Sequence, residues 1–222
     1  MHTQPFELIE ASIPQLQSAL STGIVTSHDM ATQYLARIEA YDQHGPALNA
    51  ISVINSKALA EADARDAERR AGVRRGPLHG IPIIVKDNYD TKDLQTAAGS
   101  KSLAGWIPPD DAFLVTKLHE AGAIIIAKSN MHEFAYGITT LGSLFGQTHN
   151  PYALNRNPGG SSGGTGAAIA ANFAAAAWAA TPAGLSASPP RTTASSGFVA
   201  RRGSPAVAES FRSPARRTSA AR

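Results

Sequence analysis

The chain has 222 residues, a formal charge of +3 and 43% hydrophobic residues. This length suffices for one sizeable domain with its own core. The chain contains no cysteine, which excludes disulfides, thiol nucleophiles and thiolate metal sites. Seven of its 20 basic residues but only one of its 17 acidic residues lie from Ala179 onward, so the basic character belongs to the tail.

The first seven residues include an acid and no basic region, and no apolar run reaches membrane-spanning length. We therefore expect a cytoplasmic protein without a membrane partner. Seven histidines are scattered along the chain without a pair at metal-ligand spacing. We accordingly predict no metal and no other cofactor.

Apolar residues at helical spacing predict two N-terminal helices. The first extends over residues 6–23, and residues 26–29 cap the second. Residues 50–54 have strand character. A charged helix over residues 56–71 follows, and we expect its acidic and basic side chains, Asp66 among them, to be mostly solvated.

Two continuous apolar runs, residues 81–85 and 123–127, are typical of buried parallel strands. A predicted helix over residues 110–122 separates them. Lys86 stands at the end of the first strand, where loop-borne chemistry is often placed, although most lysines are merely surface side chains. The order strand, helix, strand predicts an α/β fold with a mixed, mostly parallel sheet and helices on both faces.

Residues 133–135 continue as one helical turn, and an irregular segment over residues 137–150 leads to a glycine-rich loop. That loop, residues 157–166, reads Asn-Pro-Gly-Gly-Ser-Ser-Gly-Gly-Thr-Gly. Glycine pairs around two serines allow backbone and hydroxyl groups to approach a ligand closely. The alternative is a flexible Gly/Ser linker. Because a linker seldom runs directly into a helix former such as residues 166–171, we favour a functional loop.

Three motifs occur together in the order and spacing of a known family. They are GPLHGIPIIVKDN at residues 76–88, GAIIIAKSNMHEF at residues 122–134 and PGGSSGG at residues 158–164. On these motifs the chain resembles the amidase signature family. Within that family it resembles the peptide-amidase type and, less closely, the A subunit of glutamyl-tRNA amidotransferases. The resemblance covers nearly all of residues 1–178 and implies the amidase-signature fold, incomplete here.

The resemblance implies hydrolysis of small-molecule or peptide carboxamides by a serine nucleophile, a second serine preceded by a cis peptide, and a lysine. By position, Lys86 matches the lysine and Ser161 matches the cis serine, with Ser162, Gly159 and Gly160 in support. In such a site, the second serine relays a proton between the nucleophile and a neutral lysine. That lysine has to be desolvated by an apolar setting.

The resemblance places the nucleophilic serine at position 185, where this chain has Leu185. Pro182 also removes an N–H group from the segment that should hold the oxyanion. A string of codons can be written that encodes a family-like sequence in one reading frame and residues 179–199 of this chain when it is read one base later. We therefore hypothesise that one base was lost after the Trp178 codon. We expect an N-terminal amidase part at residues 1–178 and an irregular, disordered, out-of-frame tail at residues 179–222.

With the nucleophile missing, the expectation is a truncated, inactive chain of poor solubility or molten packing. Two alternatives remain. The first is a binding module in which residues 159–166 cradle a phosphate and the Arg-rich tail holds nucleic acid. That loop lacks the Gly-Lys-Ser/Thr ending of a phosphate loop, and aromatic residues are sparse in the tail, so we predict no nucleic-acid partner. The second is a diverged hydrolase whose nucleophile is Ser186 or Ser161.

Overall fold

The computed structural model describes residues 6–179 and a strand at Gly197–Ala200. Leu185 and Ser186 lie outside the described residues, as does most of the predicted tail. The α-helices and strands of the described residues are, in chain order, α1 (Ile13–Thr22), α2 (Ser27–Ile38), β1 (Ile51–Ile54), α3 (Ala58–Arg70), β2 (Pro82–Lys86), α4 (Phe113–Glu120), β3 (Ile124–Ser129), β4 (Leu141–Gly142), β5 (Gly146–Gln147), α5 (Gly163–Ala170), β6 (Ala176–Ala179) and β7 (Gly197–Ala200).

Five of the described strands form one sheet in the order β1-β3-β2-β6-β7. At its centre, β2 pairs in parallel with β3 on one side and with β6 on the other. At its edges, β1 and β7 pair antiparallel with their neighbours. The α/β prediction is confirmed, but parallel pairing is confined to the centre. β7 lies in the segment predicted to be irregular, where these four residues form a paired strand.

The central strands β2 and β3 are buried at every residue, as their continuous apolar runs predict. Helices α2, α3 and α5 pack against them. The core that results includes Leu16, Met30, Tyr34, Leu78, Ile83, Ile84, Leu118, Ile124 and Phe173. It therefore surrounds the strand that ends in Lys86.

Helix α1 begins at Ile13 rather than at residue 6. Pro14 lies in its first turn, and a proline further inside a helix would remove a hydrogen bond and clash with the preceding turn. The backbone N–H of Ser12 donates to Gln15 Oε1 at 2.8 Å and so caps this start. Gly23 ends the helix in the left-handed conformation, with φ 72°, as predicted.

Asp66 on α3 is buried, so the prediction of a mostly solvated side chain is wrong for this residue. Its carboxylate oxygens accept hydrogen bonds from the backbone N–H groups of Ser27, at 2.8 Å, and His28, at 3.0 Å. Both groups belong to the first turn of α2, where free N–H groups and the helix dipole attract a carboxylate. Asp66 thus ties α3 to α2, a contact that charge spacing along one helix does not show.

Candidate active site

Lys86 is the last residue of β2 and is fully buried. In the parallel register it lies opposite Ser129, the last residue of β3. Thr165 belongs to α5. Its hydroxyl group is hydrogen-bonded to the hydroxyl group of Ser129, with 2.7 Å between the two oxygens. These contacts hold the first turn of α5 next to the carboxyl ends of the two central strands.

Folding brings Lys86 into contact with Ser161, which lies 75 positions later in the chain. Lys86 Nζ donates a hydrogen bond to Ser161 Oγ at 2.8 Å, and Ser161 is also buried. The peptide bond between Gly160 and Ser161 is cis. The structure thus places together the lysine and the serine that the motifs single out.

Burial lowers the pKa of the Lys86 ammonium to about 8, because removal from water disfavours the charged form. Ile83, Ile84 and Val85, which precede it on β2, are themselves almost completely buried. Close to pH 8, about half of the Lys86 side chains are therefore neutral and able to accept a proton.

His132 and Thr140 both form hydrogen bonds with the serine loop. The backbone N–H of His132 donates to the carbonyl of Ser161 at 2.9 Å. The Thr140 hydroxyl donates to the carbonyl of Gly159 at 2.6 Å and accepts from the N–H of Gly163 at 2.9 Å. Sequence reasoning did not identify Thr140 as a site residue, because its segment predicts only irregular structure and no spacing pattern shows what it folds against.

The glycines of the loop are required by close packing. A Cβ atom on Gly160 would lie 2.9 Å from the carbonyl carbon of Ile138, and one on Gly164 would lie 2.1 Å from the carbonyl oxygen of Asn130. Gly159 has a φ of 85°, which favours glycine. The loop is therefore a packed structural element, and the alternative of a flexible linker does not describe it.

The remaining predicted site residues occupy different places. Gly159 and Gly160 precede Ser161 in the loop, and the partly buried Ser162 immediately precedes α5. Leu185, at the predicted nucleophile position, lies outside the described residues. The structure thus brings together two members of the predicted triad and their supporting loop.

A second buried lysine, Lys128, was not predicted to be part of the site. Its Nζ donates to the carbonyl of Tyr89 at 2.9 Å and to the hydroxyl of Thr96, and lies 3.7 Å from Asp87 Oδ1. Burial lowers the pKa of Lys128 to about 8 and raises the pKa of Asp87. The pair attaches the loop after Lys86 to β3. The available signal was that Lys128, like Lys86, follows a continuous apolar run.

Within residues 6–179, no three His, Asp or Glu side chains are grouped as metal ligands would be. None of the helices in the described part of the chain combines the length and the apolar character needed to cross a membrane. The predicted lack of a metal, another cofactor and a membrane partner stays a prediction.

The family profile described as Amidase matches residues 29–184, a range that contains Lys86, Ser161 and all three motifs. The chain belongs to the amidase signature family. This amidase-family chain is 44% identical over 166 residues to the A subunit of glutamyl-tRNA(Gln) amidotransferase from Acidothermus cellulolyticus, a match that covers 74% of this chain and 32% of that protein. The corresponding protein of an Azoarcus species is 45% identical over 167 residues, or 75% of this chain and 34% of that protein.

Solved structures of the family show the same fold. The native peptide amidase of Stenotrophomonas maltophilia superimposes with a TM-score of 0.76 at 44% identity, over 78% of this chain and 37% of that one. An amidase family protein of Bacillus anthracis gives a TM-score of 0.73 at 35% identity, over 78% of this chain and 35% of that one. The chain spans about a third of the length of the curated relatives it matches.

Two glycines on α5 provide a matched test of how tightly this helix packs behind the site. Gly164→Ala is expected to lower the free energy of unfolding by about 3 kcal/mol or more, because the new methyl group would overlap the backbone of Asn130 and Ala50. Gly166→Ala adds a methyl group in open space and should raise it by about 0.5–1 kcal/mol. Urea unfolding measures both, and equal effects would contradict the packing described.

The lowered pKa of Lys86 predicts a pH-dependent cost to folding. The folded state disfavours the protonated amine, and this lowers the free energy of unfolding by about 3 kcal/mol below pH 8. The penalty decreases as the pH rises from about 8 to 10.5 and is absent at higher pH. Lys86→Met removes this cost. We compare the free energy of unfolding of Lys86→Met with that of the unchanged chain at each pH. The difference in favour of the variant should be about 2 kcal/mol larger at pH 7 than at pH 10.

Urea titrations at the two pH values measure this difference. Lys57→Met is the control, because Lys57 is a surface residue paired with Asp93. A relative stability of Lys86→Met that does not change between pH 7 and pH 10 would show that Lys86 is not desolvated in the folded chain.

Proposed function

We propose that Lys86 and Ser161 are the lysine and relay serine of an amidase site. The observation that carries this proposal is the 2.8 Å hydrogen bond between Lys86 Nζ and Ser161 Oγ, with both side chains buried. A general base has to lie within hydrogen-bond reach of the group it serves and to have a pKa near the working pH. Lys86, with a pKa of about 8, meets both conditions.

The proposed proton path follows from the donor and acceptor capacity of these groups. A hydroxyl both donates and accepts, so Ser161 can take the proton of an attacking serine while it passes its own proton to neutral Lys86. The reverse transfer delivers a proton to the leaving amine. Ser161 regains its hydroxyl after each transfer, and the proton of the nucleophile ends on the leaving amine, with Lys86 as its temporary carrier. Water then attacks the acyl-serine through the same transfers, which releases the carboxylic acid and returns a proton to the nucleophile.

The proposed substrate class is a carboxamide, either a small molecule or a peptide amide. This rests on the relatives, which include a protein named peptide amidase and proteins named as parts of an amidotransferase. We further propose a cytoplasmic location without nucleic-acid or membrane partners.

We also propose that the chain with this sequence does not turn over amides. The predicted nucleophile position holds Leu185, which has no hydroxyl. Loss of the nucleophile from a cooperative triad typically lowers turnover by about a millionfold. Loss of one base after the Trp178 codon accounts for the change in composition from Ala179 onward.

The described residues do not favour the alternative of a phosphate-binding loop. The N–H of Gly163 donates to the Thr140 hydroxyl, and the Ser161 hydroxyl contacts Lys86. These groups of the loop therefore have partners within the protein. We retain the amidase site as the proposal.

Treatment with a fluorophosphonate probe, followed by mass-spectrometric mapping, tests the missing nucleophile. We expect no labelled serine and no ammonia release from a peptide amide, because the chain lacks the activated hydroxyl. Ser161→Ala and Ser186→Ala variants serve as controls for the two serines that could substitute. Label mapped to Ser161 or Ser186 would show a diverged hydrolase and contradict the proposed inactivity.

Resequencing the genomic DNA around the Trp178 codon tests the frame. We expect one additional base there, which would place a serine at position 185 and restore a family-like continuation. DNA that encodes residues 179–222 as they stand, together with close relatives that share this tail, would rule out the lost base.

A further inference from the structure

Thr140 adopts a backbone conformation that is rare for its residue type. It is fully buried and has a φ of 57°, which places a β-branched residue in the left-handed region. β-branched residues rarely adopt this conformation, and they keep it only where the surrounding structure holds the backbone in place. Thr140 comes directly before the β4–β5 hairpin, outside every segment that the motifs single out.

The Thr140 hydroxyl bridges the serine loop on both sides of Ser161. It donates to the carbonyl of Gly159 and accepts from the N–H of Gly163, two residues before and two residues after the serine. A Cβ atom on Gly163 would lie 2.2 Å from this hydroxyl oxygen, and one on Gly160 would lie 3.0 Å from it. The oxygen therefore sits within the curve of the loop, in space that only glycines leave open.

The backbone of Thr140 is held from its other side. Its carbonyl accepts hydrogen bonds from the N–H of Thr148, at 3.1 Å, and from Gln147 Nε2, at 3.2 Å. The Thr148 hydroxyl in turn donates to the carbonyl of Asn49 at 2.7 Å. Through Thr148, hydrogen bonds connect Thr140 to the segment that precedes β1. The Thr140 hydroxyl connects this same segment to the serine loop.

We propose that Thr140 is a positioning residue whose hydroxyl holds Ser161 against Lys86. This inference rests on the proposed function, in which that contact carries the proton. Valine has nearly the shape of threonine but cannot make either hydrogen bond. In Thr140→Val, the carbonyl of Gly159 and the N–H of Gly163 would lose a buried partner, and the loop would move to recover one. Ser161 then leaves Lys86, and water reaches the amine.

The titration of Lys86 reports this movement without any need for turnover. Protein with carbon-13-labelled lysine is titrated by NMR, and the Lys86 signal is assigned by its absence in Lys86→Met. Thr140→Val should raise the Lys86 midpoint by about one pH unit or more, because desolvation weakens. Thr140→Ser keeps the hydroxyl and should restore the original midpoint.

Thr91→Val is the matched control. Thr91 is another buried threonine with a bonded hydroxyl, which donates to the carbonyl of Tyr89 at 3.0 Å in the loop that follows β2. The substitution should destabilise the chain without moving the Lys86 midpoint. If Thr91→Val moves the midpoint as far as Thr140→Val does, or if Thr140→Val leaves it in place, the inference is wrong. Should Thr140→Val not fold, Thr140→Ala is titrated instead, with the same outcomes.

The two proposals fail in different ways. A Lys86 midpoint near 10.5 in the unchanged chain would remove the neutral lysine on which the proposed function depends. A midpoint near 8 that does not respond to substitution of Thr140 would leave the proposed function intact and overturn only the role of Thr140.

Discussion

Removal of the Lys86 amine from water is the constraint on which the described structure depends. Moving an ammonium group into a protein interior is unfavourable unless it loses its proton or gains compensating partners. Here the amine ends a strand that is flanked on both sides by other strands and meets a hydroxyl from a distant loop. The central sheet supplies the apolar surroundings, and the glycine loop supplies the polar partner. Without the sheet the amine would be exposed to water, and without the loop it would lack the Ser161 hydroxyl as a hydrogen-bond partner.

The neighbouring strand β3 carries a second buried lysine, Lys128, near its own carboxyl end, in a different electrostatic setting. Lys86 contacts a serine hydroxyl, whereas Lys128 lies near the Asp87 carboxylate, whose negative charge favours the protonated amine. Lys128 donates to the Tyr89 carbonyl and the Thr96 hydroxyl in the loop that follows β2, so this amine fastens that loop. Two lysines that follow similar apolar runs and have similarly lowered pKa values therefore differ in the groups that the fold brings to them.

The sequence predicts the parts of this structure that depend on local pattern. Apolar runs placed β2 and β3 correctly, and the motifs identified Lys86 and Ser161 as candidates. What could not be predicted depends on contacts between distant segments. The burial of Asp66 requires knowledge that α3 passes the start of α2, and the bridge from Thr140 requires knowledge that an irregular segment folds over the glycine loop. Strand direction at the sheet edges likewise depends on chain connections that periodicity does not encode.

The separation of 75 positions between Lys86 and Ser161 has a consequence for synthesis of the chain. Contacts between residues far apart in sequence form late, because a long loop has to close before they can contribute. When β2 has just left the ribosome, neither β3 nor the glycine loop that contacts Lys86 has yet been made. Until the chain has been made to about residue 170, the end of α5, β2 is an exposed hydrophobic strand. Chaperones that bind exposed hydrophobic strands can therefore bind β2 during that interval.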